Sequence, residues 1–252
     1  MIYFVLPIYN EENNVKVIVP EIRRCMAGEE YKIVAINDGS SDGSLQLLKD
    51  LKAKDLLIDG SLINMNIGAA FSLAIDRITR DSQDENDVVV ILESDQTSNI
   101  ELVHDLISEI RDKGQDIVIA SRYLKGGGYQ NFPLPRLIYS WCANALLRFF
   151  FPIPKATDYT IFLRGYRVSA FYPVLDKLTS HAFLQSHGFV ANSELLVKLT
   201  VFTDKVSEIP FIYDYGRKVG KSKMNVFRTI HEYFTFIQYM KYIVNQLRKL
   251  SS

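Results

Sequence analysis

The sequence predicts an α/β fold, a mostly parallel sheet flanked by helices with an amphipathic helix at the carboxyl end. Two observations carry this. Short runs of branched apolar residues alternate, through the first half of the chain, with stretches in which Leu, Ile and Val recur every three or four positions. Such alternation implies βαβ units, because parallel neighbours need a crossover connection. The 252 residues, 48% of them apolar, suffice for one large α/β domain or two small ones.

Taken in order, the strand-like runs are IYFVLPI (2–8), YKIVAIN (31–37), SLINMN (61–66), DVVVILE (87–93) and DIVIAS (116–121). Helical periodicity fills about 13–26, 42–54, 68–80 and 99–113. Past residue 121 the regularity is lost. KGGGYQNFPLPR (125–136) is a Gly- and Pro-rich loop, a helix follows at 137–150, and a strand is expected at about 205–212. The basic loop YGRKVGKSK (215–223) leads into the last helix.

Lys plus Arg and Asp plus Glu each number 29, so no overall field recruits nucleic acid. Cys25 and Cys142 have no CxxC spacing and are read as packing residues of a protein made in a reducing compartment. His104, His181, His187 and His231 show no ligand spacing. The amino terminus runs straight into a strand without the features of a signal peptide, so a cytoplasmic location is expected. No apolar stretch reaches the roughly 18 residues of a spanning helix. FFFPIP (149–154) and the aromatic, basic-ended segment 227–250 are expected to dock at a membrane surface or, alternatively, to pack on the sheet, on a second copy of the chain or on a membrane-protein partner.

In open parallel sheets ligands bind beyond the carboxyl ends of the strands. There the chain carries PIYNEE, NDGSSDGS, ESDQTSN and SRYLKGGG in succession. NDGSSDGS reads equally as turn and cap chemistry. ESDQTSN does not, since Thr97 and Ser98 already suffice as caps and the buried run before them still delivers two carboxylates, Glu93 and Asp95. Separated by Ser94 alone, these acids can turn toward a common point and hold Mg²⁺ or Mn²⁺ through oxygen, leaving positions for substrate phosphates. Acid and base carboxylates of a hydrolase usually stand farther apart.

The set PIYNEENNV, VAINDGSSDGS, NIGAAFSLAI, VILESDQTSN and DIVIASRY, in this order, resembles the family 2 glycosyltransferases of GT-A (Rossmann-like) fold. GGGYQNFPLPR, ATDYTIFLRGYR, FVANSELLVKL and VSEIPFIYDYGRKVGKSK are more narrowly similar to the dolichol-phosphate mannosyltransferase and polyprenyl-phosphate glycosyltransferase branch. The likeness spans about 1–225 and implies a glycosyltransferase domain there, with 226–252 as an appended docking helix. It also implies an inverting, metal-dependent enzyme at the cytoplasmic face of a membrane, passing a sugar from a GDP- or UDP-sugar to a polyprenyl phosphate.

Residue by residue, the resemblance assigns Pro7, Tyr9, Glu11, Asp38, Gly68 and Ser94 to the donor pocket, and Arg217 and Lys223 to the closing loop near the donor diphosphate and acceptor. Asp95 matches the second aspartate of the family's metal-binding Asp-x-Asp, with Glu93 in place of the first; Asn37 stands where many relatives carry another aspartate. Arg122 and Arg136 match phosphate-gripping arginines, a use suited to a planar guanidinium. A phosphate acceptor is already an anion and needs no base. A sugar-hydroxyl acceptor in polysaccharide synthesis would need one, for which Asp158 and Glu194 are the candidates. A nucleotide-sugar-binding protein without turnover is the third reading.

Overall fold

The structure is a computed structural model that describes residues 1–178, 183–218 and 226–251; of residues 226–231 and 251 it describes the backbone only. Seven strands form one sheet in the order β3-β2-β1-β4-β7-β5-β8. They are β1 (Ile2–Ile8), β2 (Tyr31–Asp38), β3 (Leu56–Ser61), β4 (Val88–Ile91), β5 (Ile117–Ser121), β7 (Arg164–Arg167) and β8 (Val206–Pro210). All neighbours are parallel except β7, which runs antiparallel between β4 and β5. The mostly parallel α/β expectation therefore holds.

Continuous apolar runs form the centre because both faces are covered. Phe4, Val5 and Leu6 of β1 and all of β4 are inaccessible to solvent. The flanking helices are α1 (Glu12–Cys25), α2 (Ser44–Asp50), α3 (Ile67–Asp81) and α4 (Leu102–Arg111), close to their expected places. α3 packs on β1 and β2, while α4 packs on β5 and β7. Asn66 sets the start of α3 from the left-handed region, φ 78°, accepting from the amides of Gly68 (3.0 Å) and Ala69 (3.3 Å).

The third strand lies earlier than expected. Leu56–Ser61 pairs with β2 from Ile33 opposite Leu56 to Asp38 opposite Ser61, and residues 62–66 form the loop into α3. Leu62 and Ile63, the apolar pair that pointed to a strand there, are 88% and 73% exposed. On an edge strand, pairing with β2 outweighs the hydrophobicity of a few residues.

β7 reads RGYR and carries no strand signal. Gly165 makes it possible: a Cβ there would lie 2.9 Å from Ile110 Cδ1 and 3.3 Å from Leu106 Cβ, so α4 rests directly on the strand. Arg164 is fully buried and donates to the carbonyls of Asn192 (2.8 Å) and Asp158 (3.3 Å).

The second half is more regular than the sequence implied. Within the glycine-rich loop β6 (Gly128–Gln130) pairs in parallel with β9 (Ile212–Asp214), a strand that follows β8 after a break at Phe211. α5 (Leu134–Phe150) starts before the expected residue 137, followed by α6 (Tyr172–Lys177), α7 (Val190–Leu199) and α8 (Val226–Ser251). Tyr233, Phe236, Ile237, Met240, Val244 and Leu247 of α8 are buried, with α7 among its neighbours. No described helix is long and apolar enough to cross a membrane.

Replacing Gly165 by valine should destabilise the protein by about 1–3 kcal/mol through overpacking between α4 and β7, read as a lower urea midpoint.

Candidate active site

The loops after β1, β2 and β4 are bonded to one another. The Asn10 amide donates to Ser40 Oγ (3.1 Å), the Glu11 amide to Ser44 Oγ (2.8 Å), and Gln96 Nε2 to Asn14 Oδ1 (3.0 Å). This brings Pro7, Tyr9 and Glu11 into one rim with Asp38, at the end of β2, and with the loop that carries Glu93, Ser94 and Asp95. Asp38 is buried and accepts from the Met65 amide at 2.5 Å; burial pushes its carboxyl up, with that amide acting in the opposite direction. Gly68 sits in the first turn of α3, and its missing side chain is used by packing. A Cβ there would lie 2.3 Å from the Ser186 carbonyl oxygen.

Ser94 and Asp95 are buried at the tip of β4, and Glu93 is half-buried. Asp95 Oδ1 accepts from Thr97 Oγ1 (2.6 Å) and the Thr97 amide (3.2 Å). Asp95 Oδ2 is ion-paired to the ammonium of Lys218. Burial opposes the charge on Lys218, yet Asp95 and Glu93 more than offset this and hold its proton more tightly than usual. Glu93 has no such partner: burial first, then the charge of Asp95, pushes its carboxyl up to about 8.

Would these residues suit a divalent ion? Two carboxylates and the Thr97 hydroxyl are hard oxygen donors, and the Lys218 ammonium already marks the spot as one that favours positive charge. The set fits Mg²⁺ or Mn²⁺ with Asp95 as the ligand and Glu93 beside it.

Arg122 is buried at the end of β5 and held by Asp158 through two parallel bonds, Nε to Oδ2 and Nη2 to Oδ1, each 2.7 Å. Asp158 also accepts from the amides of Arg122, Thr160 and Ile161. Burial opposes its charge, but Arg122 keeps its carboxyl below the ordinary range. Asp158 is therefore a saturated anchor rather than a base. Glu194 is equally engaged, fully buried against Lys198 (2.6 Å) and the amides of Gln185 and Ser186. Neither matches the free base that a hydroxyl acceptor requires.

The rings of Tyr129, Tyr123 and Tyr213 surround the Arg122 guanidinium at 5.2, 5.8 and 5.8 Å. Beyond it opens a cleft of about 470 Å³. Its lining includes Arg122, Arg136 from the first turn of α5, Lys218 and Glu93, together with apolar side chains, Phe132, Leu146, Phe162, Phe189 and Phe234 among them. Arg136 lies over the Tyr215 ring at 5.5 Å.

Of the residues expected in the closing loop, Arg217 is exposed in a short turn after β9, and Lys223 lies outside the described residues. Among the described residues, the basic residue of this loop that reaches the acids is Lys218. Nothing in YGRKVGKSK singles it out; its position follows from the pairing of β6 with β9.

Residues 3–175 match the glycosyl transferase family 2. The chain belongs to that family. It is 30% identical over 233 residues to the dolichol-phosphate mannosyltransferase of Pyrococcus furiosus, covering 92% of this chain and 61% of that protein. To the polyprenol monophosphomannose synthase of Mycolicibacterium smegmatis it is 29% identical, covering 88% and 80%. The chain thus spans less than two thirds of the first relative. Among solved structures, glucosyl-3-phosphoglycerate synthase from Mycobacterium tuberculosis in complex with uridine diphosphate superposes with TM-score 0.63 at 14% identity, over 94% of this chain and 80% of that one. This likeness shows the fold, which is GT-A.

Because the folded Glu93 carboxyl keeps its proton to about pH 8, whereas an unfolded one releases it near 4.5, the folded state binds more protons across that interval. Stability should therefore fall as pH rises through it. Glu93→Gln should flatten this fall, raising the denaturant midpoint at pH 8 relative to that at pH 5.

Proposed function

We propose that this protein is an inverting glycosyltransferase that moves a sugar from a nucleotide-diphosphate donor, GDP- or UDP-linked, to a polyprenyl phosphate. The observation that carries this reading is the make-up of the cleft. It combines three cations with many apolar side chains, and among the described residues Glu93 is its only carboxylate. A hydroxyl acceptor needs a free base in reach, and Glu93, beside Asp95, is taken up by the metal position in this reading. A phosphate acceptor needs cations instead, and a prenyl chain needs apolar walls.

In this reading the donor nucleotide lies against the rim of Pro7, Tyr9, Glu11 and Asp38, and its diphosphate reaches Asp95. A divalent cation held by Asp95 and Glu93, when bound, neutralises charge on the departing diphosphate. Lys218 leaves Asp95 as the donor arrives and turns its ammonium to the phosphates. Arg122, with Nε and Nη2 committed to Asp158, offers its remaining amino group to the acceptor phosphate, and Arg136 grips it from the other side. The acceptor oxygen attacks from the face opposite the leaving group and inverts the anomeric centre.

The same reading puts the protein at a membrane surface. Leu134, Ile138, Trp141 and Phe149 are exposed on α5, which lines the cleft, and Phe234 is exposed on α8. Lys241 lies over the Phe150 ring of α5 at 4.2 Å, and Arg248 is a basic residue in the last turn of α8, as at interfacial helices. A prenyl chain leaving the cleft would pass directly into the lipid.

The experiment is transfer from a panel of UDP- and GDP-sugars with Mg²⁺ or Mn²⁺ to a short polyprenyl phosphate, with product read by mass spectrometry. A glycosyl phospholipid is expected, absent with Asp95→Ala and reduced roughly ten- to a hundredfold by Arg136→Ala, the worth of a charged hydrogen bond. Trp141→Ser with Phe149→Ser should slow transfer on vesicles but not in detergent. Donor binding without lipid product from any sugar would reject the acceptor assignment.

A further inference from the structure

Away from the cleft, three side chains with metal-binding chemistry meet on the surface where α1 ends and α4 begins. Cys25 is the last residue of α1, Glu101 precedes α4, and His104 lies in its first turn. Cys25 Sγ stands 3.3 Å from His104 Nε2, and one ligand atom from each of the three residues lies within 4.8 Å of the others. Cys25 and His104 are 79 residues apart in the chain, so no local spacing announces the group.

We propose that Cys25, Glu101 and His104 form a Zn²⁺ site, with water as the fourth ligand. The donor set decides the metal. A thiolate, an imidazole and a carboxylate suit zinc, whereas Mg²⁺ and Mn²⁺ prefer all-oxygen shells such as that of Asp95. The geometry is close to what zinc requires. Bonds of about 2.0–2.3 Å in a tetrahedron put ligand atoms roughly 3.3–3.8 Å apart, so the group needs only a small contraction. Cys25 is half-buried, while Glu101 and His104 are exposed. Glu101 Oε1 accepts from Arg24 Nη2 at 2.9 Å, leaving Oε2 for the metal and Arg24 as the partner that orients the carboxylate.

On binding, the Cys25 thiol releases its proton to solvent as the sulfur–zinc bond forms, and no electron changes hands. The ion would tie together two elements that both lead to the active site. α1 follows the Glu11 loop, and α4 follows the loop of Glu93 and Asp95. Gln96 and Asn14 already link these elements at the active-site end. Zinc would lock the opposite end of α1 to the start of α4.

The test uses Co²⁺ as a spectroscopic stand-in for zinc on the full chain. One equivalent should produce a sulfur-to-cobalt charge-transfer absorption that Zn²⁺ bleaches and excess Mg²⁺ does not. The band should vanish in Cys25→Ser, persist in Cys142→Ser and in Asp95→Asn, and need at least tenfold more Co²⁺ in His104→Ala or Glu101→Gln, both exposed positions where folding is safe. No sulfur band in the unaltered protein, or a band lost with Cys142→Ser instead of Cys25→Ser, would overturn the assignment. This outcome is independent of which sugar or acceptor the cleft takes.

Discussion

The buried ion pair between Arg122 and Asp158 is the constraint on which the rest of the site depends. A buried charge left unpaired is costly, so neither residue can be moved without the other. Asp158 lies in the segment before β7, and Arg122 ends β5; joining them fixes how the antiparallel insertion meets the parallel sheet. Thr160 accepts from both Arg122 (2.6 Å) and Asn144 of α5 (3.0 Å), which places α5 over the cleft. Glu208 of β8 accepts from the amides of Thr157 (2.6 Å) and Asp158 (2.9 Å), so the neighbouring strand holds the same segment from below. The Arg122 side chain that results is rigid and framed by tyrosines. A rigid guanidinium loses little freedom on meeting a phosphate.

The electrostatics of the adjoining acids follow from the same scarcity of water. Glu93 and Asp95 compete for charge at the tip of β4, and the competition is resolved by asymmetry. Asp95 takes the Lys218 ammonium, and Glu93 keeps a proton. The pair thus carries one negative charge balanced by one positive charge, which lets it stand at the end of a buried strand without a cofactor. Exchanging Lys218 for a divalent ion would restore charge to Glu93. Substitution of glutamate for the family's first aspartate is compatible with this, since the longer side chain remains beside Asp95 within reach of Thr97, at 3.4 Å from Thr97 Oγ1.

Much of the fold was legible because β1, β2, β4 and β5 are continuous apolar runs ended by polar loops; the rule that ligands gather at strand ends led to Glu93 and Asp95, while Asp38 and Arg122 came from the family resemblance. What was not legible depended on tertiary pairing. β3 was placed late because Leu62 and Ile63 look like core and are exposed, while LLIDGS pairs at the edge. β7 is a central strand with a fully buried arginine, which no propensity favours. Asp158 reads as a free acid in TDYT, and only the fold reveals its arginine. Lys218 could not be told from Arg217 without β6 and β9, and Cys25 meets His104 only across the α1–α4 contact.

The central claim is that one cleft reads both a phosphate and an apolar chain. The most direct test is calorimetric binding of a short polyprenyl phosphate beside the matching polyprenol and inorganic phosphate. The account predicts tight, salt-resistant binding of the polyprenyl phosphate and binding at least a hundredfold weaker for either part alone. Equal affinity for inorganic phosphate and the lipid, or no binding of the lipid, would contradict it.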